Sequence, residues 1–150
     1  MKTVFLRRED VKRRWIELDA SGQVLGKLAV KAANLLMGKE RPTFTPAVDT
    51  GDFVIVTNAK GVRVTGKKET NKVYFQHTQY VGSWVKEPLS GMRQRKPENV
   101  IYLAVKRMLP KNTMGEHMLK RLKIYAGGEH PHAAQQPEKQ SVPQKARKAK

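Results

Sequence analysis

Phe53-Val54-Ile55-Val56 places four apolar side chains in a row, bounded by Gly51-Asp52 before and Asn58 after. A strand turns successive side chains to opposite faces, so a run without polar alternation reads as a central strand covered on both sides. Material for the covering layers lies on either side of it. Trp15-Ile16-Glu17-Leu18-Asp19 has a strand pattern with Ile16 and Leu18 on one face, and Ala20-Ser21-Gly22 turns the chain. Leu25, Leu28, Ala29, Ala32 and Leu35 then recur at helical spacing, and Gly38 stands where a left-handed C-cap belongs. This β-turn-α unit followed by a buried strand predicts an α/β layer fold.

The later elements are read with the same rules. Residues 39–52 form a polar loop containing Pro42 and Pro46. Val62 and Val64 suggest a short strand or edge, and Val73-Tyr74-Phe75 a further strand, introduced by a basic turn from Lys67 to Lys72. Residues 79–96 read as loop with one helical turn at most. Pro97 suits the first turn of a helix that carries Val100, Ile101, Leu103, Ala104, Val105 and Met108 and stops at Pro110. Thr113-Met114-Gly115-Glu116 has capping-box spacing. The helix it opens is predicted to carry Met114, Met118, Leu119 and Leu122 on one side and His117, Lys120, Arg121 and Lys123 on the other. Residues 1–137 are expected to form one domain. Residues 138–150, rich in Gln, Lys, Pro and Ala, are expected to be a disordered basic tail.

Composition enters at the question of what such a domain meets. Lys and Arg total 30 against 13 for Asp and Glu, a formal net charge of +17. So much self-repulsion does not stabilise a fold; a polyanion is needed to offset it, and a phosphate backbone is the strongest candidate. The excess is distributed along the chain, as expected for a protein that meets polyanion on several sides. Other function classes are poorly served. With no cysteine, disulfides, thiolate zinc sites, iron–sulfur clusters and cysteine nucleophiles are excluded. The segment from Met1 to Trp15 has no apolar stretch to act as a signal peptide, and no run reaches the ~20 apolar residues of a membrane span. The expectation is a soluble cytoplasmic protein with no membrane partner.

Three candidate constellations are weaker than the charge. Gly22-Gln23-Val24-Leu25-Gly26-Lys27-Leu28 lies between strand and helix, but it has three residues between its glycines where a P-loop has four. Leu28 also stands where the loop needs Ser or Thr. His130-Pro131-His132 has only Glu129 as a neighbouring acid, too little for a metal site. Asp19, Asp49 and Asp52 could meet at strand ends, yet each also suits an ordinary turn or junction. No catalytic residue, cofactor, metal or small-molecule substrate is assigned.

The basic features point to RNA. Lys106, Arg107 and Lys111 flank Pro110, and Lys120, Arg121 and Lys123 follow. Tyr125, His130, His132 and Gln135 come next in an irregular, Gly-rich segment. Cations beside rings and amides suit irregular RNA, which is recognised by stacking and 2′-hydroxyl contacts. No recognition-helix motif for DNA is evident. Candidate RNA-binding residues are therefore Lys39, Arg41, Lys67, Lys68, Lys72, His77, Lys106, Arg107, Lys111, His117, Lys120, Arg121, Lys123, Tyr125, His130, His132 and Gln135.

Several blocks also resemble a known family. They are Val48-Asp49-Thr50-Gly51-Asp52 through Ala59, Val64-Thr65-Gly66-Lys67-Lys68 through His77-Thr78, and Met108-Leu109-Pro110-Lys111. Further on come Leu122-Lys123-Ile124-Tyr125-Ala126-Gly127 and Glu129-His130-Pro131-His132 through Pro137. Together with Trp15 to Leu28 they are similar, in matching order, to the bacterial ribosomal protein L-thirteen family. The resemblance implies a three-layer α/β/α domain on a small, mainly parallel sheet of about four strands, with basic loops. It implies binding to large-subunit (23S-type) rRNA beside neighbouring large-subunit proteins, early in assembly, without enzymatic activity. A regulatory role on mRNA stays open as a second job. The chain departs from the family pattern at Arg107 and Gln79, where Gly is usual, and at Glu116, where a basic residue is common.

Overall fold

The structure is a computed structural model that describes residues 6–142. Its sheet has four parallel strands in the order β5-β2-β1-β6, with β1 at Trp15–Asp19, β2 at Phe53–Thr57, β5 at Leu122–Ile124 and β6 at Glu138–Gln140. The apolar run is central, as its pattern requires. Val54, Ile55 and Val56 are fully buried.

Strand order decides which connection covers which face. From β1 to β2 to β5 the chain steps in one direction, so right-handed crossovers put both connections on the same side. The first is α1 (Leu25–Met37), and the second includes α4 (Pro97–Met108) and α5 (Thr113–Lys120). Their inner faces, including Leu28, Ala32, Leu35, Ile101, Val105 and Met118, pack with Ile16, Leu18, Val54 and Val56 in one core. Gly38 ends α1 with φ +79°, and its N–H reaches the Leu35 carbonyl. From β5 the chain must travel back past β2 to reach β6 beside β1. It does so over the opposite face, with one 3-10 turn at Ala133–Gln135. There Trp15 stacks on Phe53 at 4.3 Å and 6°, and His132 lies 5.1 Å from Trp15.

Several expectations are corrected. The chain from 138 is not wholly a disordered tail: β6 pairs with β1, and Val142 reaches the core at 4 % exposure. Backbone pairing along β1 orders residues whose side chains carry no apolar signal; residues 143–150 lie outside the described residues. The helix after Pro110 stops at Lys120, and Leu122 belongs to a strand that pairs with Val54. Its cap is Asn112, whose side chain accepts from the Gly115 N–H at 2.8 Å, one residue before the predicted Thr113. Residues 79–96 are loop only up to Ser83: β4 (Trp84–Pro88) and the two-turn helix α3 (Leu89–Arg95) follow. The Val73 strand, β3 (Val73–His77), leaves the main sheet and pairs antiparallel with β4 as a separate hairpin. A four-residue helix, α2 (Lys68–Asn71), replaces the predicted basic turn. Val62 and Val64 flank a single bridge, Val24 to Arg63, rather than a strand.

Candidate nucleic-acid interface

The last turn of α4 presents Lys106 and Arg107 outward while Val105 and Leu109 hold it to the core. Cations at a helix C-terminus are favoured by the helix dipole. Pro110 prevents continuation, and the chain turns sharply into α5. The turn is tight enough that a Cβ on Gly115 would lie 1.9 Å from the Pro110 carbonyl oxygen, so glycine is required there. Lys106 and Lys111 consequently line one cleft of about 330 Å³ with Pro110, Asn112 and Glu116. On the other side of the same helix end, Arg107, Lys68 and Lys72 rim a cleft of about 250 Å³ over Tyr74.

Tyr74 anchors that second cleft. Its ring is buried, with the Lys72 ammonium 5.1 Å and the Arg107 guanidinium 5.8 Å from its centre. Burial raises the pKa of its phenol, and the nearby Arg107 charge opposes the rise. The phenol is therefore a neutral hydrogen-bonding group at physiological pH. Among the described residues, no carboxylate lies within ion-pair distance of Lys68, Lys72, Lys106, Arg107, Lys111 or Lys120. Arg107 keeps helical geometry at its Gly-type position. Gln79, by contrast, adopts φ +72°, the left-handed conformation that Gly takes readily.

Other predicted residues are used inside the protein. Arg121 is buried, donates to both Asp49 carboxylate oxygens at 2.5 and 2.6 Å, and donates to the Leu36 carbonyl at 3.1 Å. Its place after the end of α5 turns it inward, whereas a continued helix would have turned it outward. Arg41 pairs with Asp52 and donates to the Lys12 carbonyl at 2.6 Å. Asp52, 1 % exposed, also accepts from the Arg14 N–H at 2.9 Å and its guanidinium at 3.0 Å.

Tyr125, His130 and His132 are half-buried against the second face of the sheet. The Tyr125 hydroxyl is hydrogen-bonded to His132 Nε2 at 2.8 Å, and His130 lies 3.8 Å from Glu17. The three rings pack against one another, and His132 also lies against Trp15. Lys123 is half-buried beside Ile55, in register on the same face. Lys39, Lys67, His77, His117 and Gln135 are exposed but dispersed, with His117 beside Arg121 and Phe53. The three aspartates do not converge. Asp49 and Asp52 tie arginines before β2, while Asp19 ends β1 and accepts from Asn58 at 3.0 Å and the Ser21 N–H at 3.0 Å. Those two bonds, the Asn58 one foremost, lower the Asp19 pKa.

Exposed aromatic residues of the β3–β4 hairpin escaped the sequence reading. Phe75 ended a short strand candidate, and Trp84 fell in a stretch without a clear period. The available signal was the alternation Phe75, His77 and Trp84, Lys86, which becomes meaningful once the two strands are paired.

A sequence profile described as Ribosomal protein L13 matches residues 13–131. The chain is 54 % identical to a protein of Dictyoglomus thermophilum over 142 residues, 95 % of this chain and 100 % of that one. It is 55 % identical to one of Thermotoga petrophila over 137 residues, 91 % and 92 % of the two chains, and 50 % identical to one of Coprothermobacter proteolyticus over 143 residues, 95 % and 100 %. Each is named large ribosomal subunit protein uL13.

Proposed function

The chain belongs to the ribosomal protein L13 family, and from that premise we propose that it is a structural constituent of the cytoplasmic large ribosomal subunit. It binds 23S-type rRNA beside neighbouring large-subunit proteins and supports early subunit assembly, without catalysing a reaction. The observation that carries this reading is the set of cations around the α4–α5 corner that have no ion-pair partner among the described residues, held beside a packed helix end rather than on a loose tail. Phosphate contacts from Lys68, Lys72, Lys106, Arg107, Lys111 and Lys120 set the position of the domain on folded RNA. The clefts beside them admit sugar edges or a base. Carrying these side chains on or directly beside packed helices lowers the backbone entropy lost on binding.

The test is binding of the full chain to purified large-subunit rRNA between 50 and 200 mM salt. Engagement of six to ten phosphates predicts a fall in affinity of about 10³- to 10⁵-fold on duplex-DNA arithmetic. A slope near zero, or equal affinity for messenger RNA and DNA competitors, overturns the reading.

A further inference from the structure

The β3–β4 hairpin is anchored through Tyr74 on one face, whose outer positions Gln76 and Val85 stay exposed, and its other face carries exposed aromatic rings. Register pairs Tyr74 with Glu87 and Gln76 with Val85 on one face, and Phe75 with Lys86 and His77 with Trp84 on the other. Tyr74 points into a small core made with Leu89, Met92 and Val100, which fastens the hairpin to α3 and α4. The Leu89 N–H donates to the Lys72 carbonyl at 2.9 Å, closing its base, and Arg95 pairs with Glu87 at 2.8 Å. The opposite face has no such cover. Phe75 is 63 % exposed and Trp84 51 %, while Tyr80 at the tip is 78 % exposed. Burying them would stabilise the fold, so aromatic rings left outside on an otherwise ordered hairpin mark a contact surface.

The chemistry of the face selects the occupant. The Phe75 and Trp84 rings lie 5.9 Å apart at 39°, and the Lys86 ammonium is 4.0 Å from the Trp84 ring centre and 5.5 Å from that of Phe75. His77 sits across from Trp84. An apolar protein surface laid here would have to strip water from the Lys86 ammonium without supplying an anion. A nucleotide supplies both parts, a flat base for the rings and a phosphate for the ammonium. We propose that the exposed face of the hairpin, Phe75, His77, Trp84 and Lys86, is a stacking platform for unpaired bases of RNA. This rests on the rRNA-binding reading above and adds a second, aromatic site to the cationic corner.

The experiment uses Trp84 as its own reporter. Trp15 is the other tryptophan, and Trp15→Phe keeps a ring against Phe53 while leaving Trp84 as the single emitter. Adding purified large-subunit rRNA should quench Trp84 emission saturably and protect it from acrylamide. Phe75→Ala and Trp84→Ala should each weaken RNA binding by about 5- to 150-fold, the range for one stacked base. Gln76→Ala, on the opposite face, should leave binding unchanged and serves as the control for hairpin integrity. If RNA binds with its normal salt slope while Trp84 stays accessible to acrylamide, the platform is refuted and the rRNA reading survives. If Trp84 is shielded only in assembled large subunits and not on rRNA alone, the face meets protein and the proposal is equally refuted. Failure of RNA to bind at all overturns the reading beneath it.

Discussion

Two clusters of basic side chains in this protein use the same groups for opposite ends. Before β2, Arg13, Arg14, Arg41 and Arg121 converge on Asp49 and Asp52, with Asp52 and Arg121 out of water. At the α4–α5 corner Lys106, Arg107 and Lys111, with Lys120 at the far end of α5, stand in solvent with no carboxylate within ion-pair distance among the described residues. The first cluster uses arginines on the buried Asp52, the partly buried Asp49 and nearby carbonyls, with Arg121 gripping both Asp49 oxygens, a geometry a lysine would satisfy poorly. The second uses mostly lysines, hydrated point charges available to phosphate. Net charge counts both alike. Local pairing separates cations that hold the fold together from cations that meet a ligand.

Mutation can break this contrast. Asp52→Asn should have the largest effect, because it strands Arg41 and unties Arg14; the unfolding free energy should fall by about 3 kcal/mol, since Arg14 is half-exposed and softens the loss. Urea unfolding measures it, and a loss under about 1 kcal/mol would place the knot among ordinary surface pairs. Arg121→Gln should cost about 2 kcal/mol by the same assay, less because Arg13 still lies 3.6 Å from Asp49. At this position rRNA affinity should follow stability and show no change in salt slope.

The corner should behave in reverse. Combined Lys106→Gln, Lys111→Gln and Lys120→Gln should change stability by no more than about 0.5 kcal/mol per site. The same triple change should reduce the salt slope of rRNA binding by about 2 to 3. A destabilisation rivalling that of Asp52→Asn would erase the distinction between the clusters.

The smallest effect concerns Asp19, which belongs to neither cluster. Its folded-state pKa is lowered, so its contribution to stability is present above the ordinary value of 3.8 and is lost as pH falls through the lowered one. Asn58 has φ +56°, so Asn58→Gly removes the hydrogen bond without straining the backbone. The variant's urea midpoint should trail the parent's at pH 7, and the gap should close in acid. A gap independent of pH would mean that the Asn58 bond does not set the Asp19 pKa.

Legibility tracked how local each feature's cause was. The central strand, the stripe of α1, the Gly38 cap and Pro97 opening α4 all depend on spacing within one turn or strand, and each stands where the pattern put it. Leu122–Ile124 read as helix because its apolar positions fit both periods; pairing with Val54 and Val56 chose the strand. The cationic corner was legible because Pro110 between basic residues is a local signal. The internal pairing of Arg41 and Arg121 and the packing of the Tyr125–His132 rings were not legible, because residue type does not tell an inward side chain from an outward one.

From its order of residues alone, this chain determined a buried parallel strand, an α/β layering and a cationic surplus that demands a polyanion. Backbone periodicity and total charge are properties a linear polymer already possesses. Tertiary structure alone decided that Glu138–Gln140 completes the sheet, that the Arg121 charge is internal and that Phe75 and Trp84 share an open face. Each depends on a partner beyond its own element: Ile16 for Glu138 and Asp49 for Arg121, both far off in sequence, and the neighbouring strand for each strand of the hairpin.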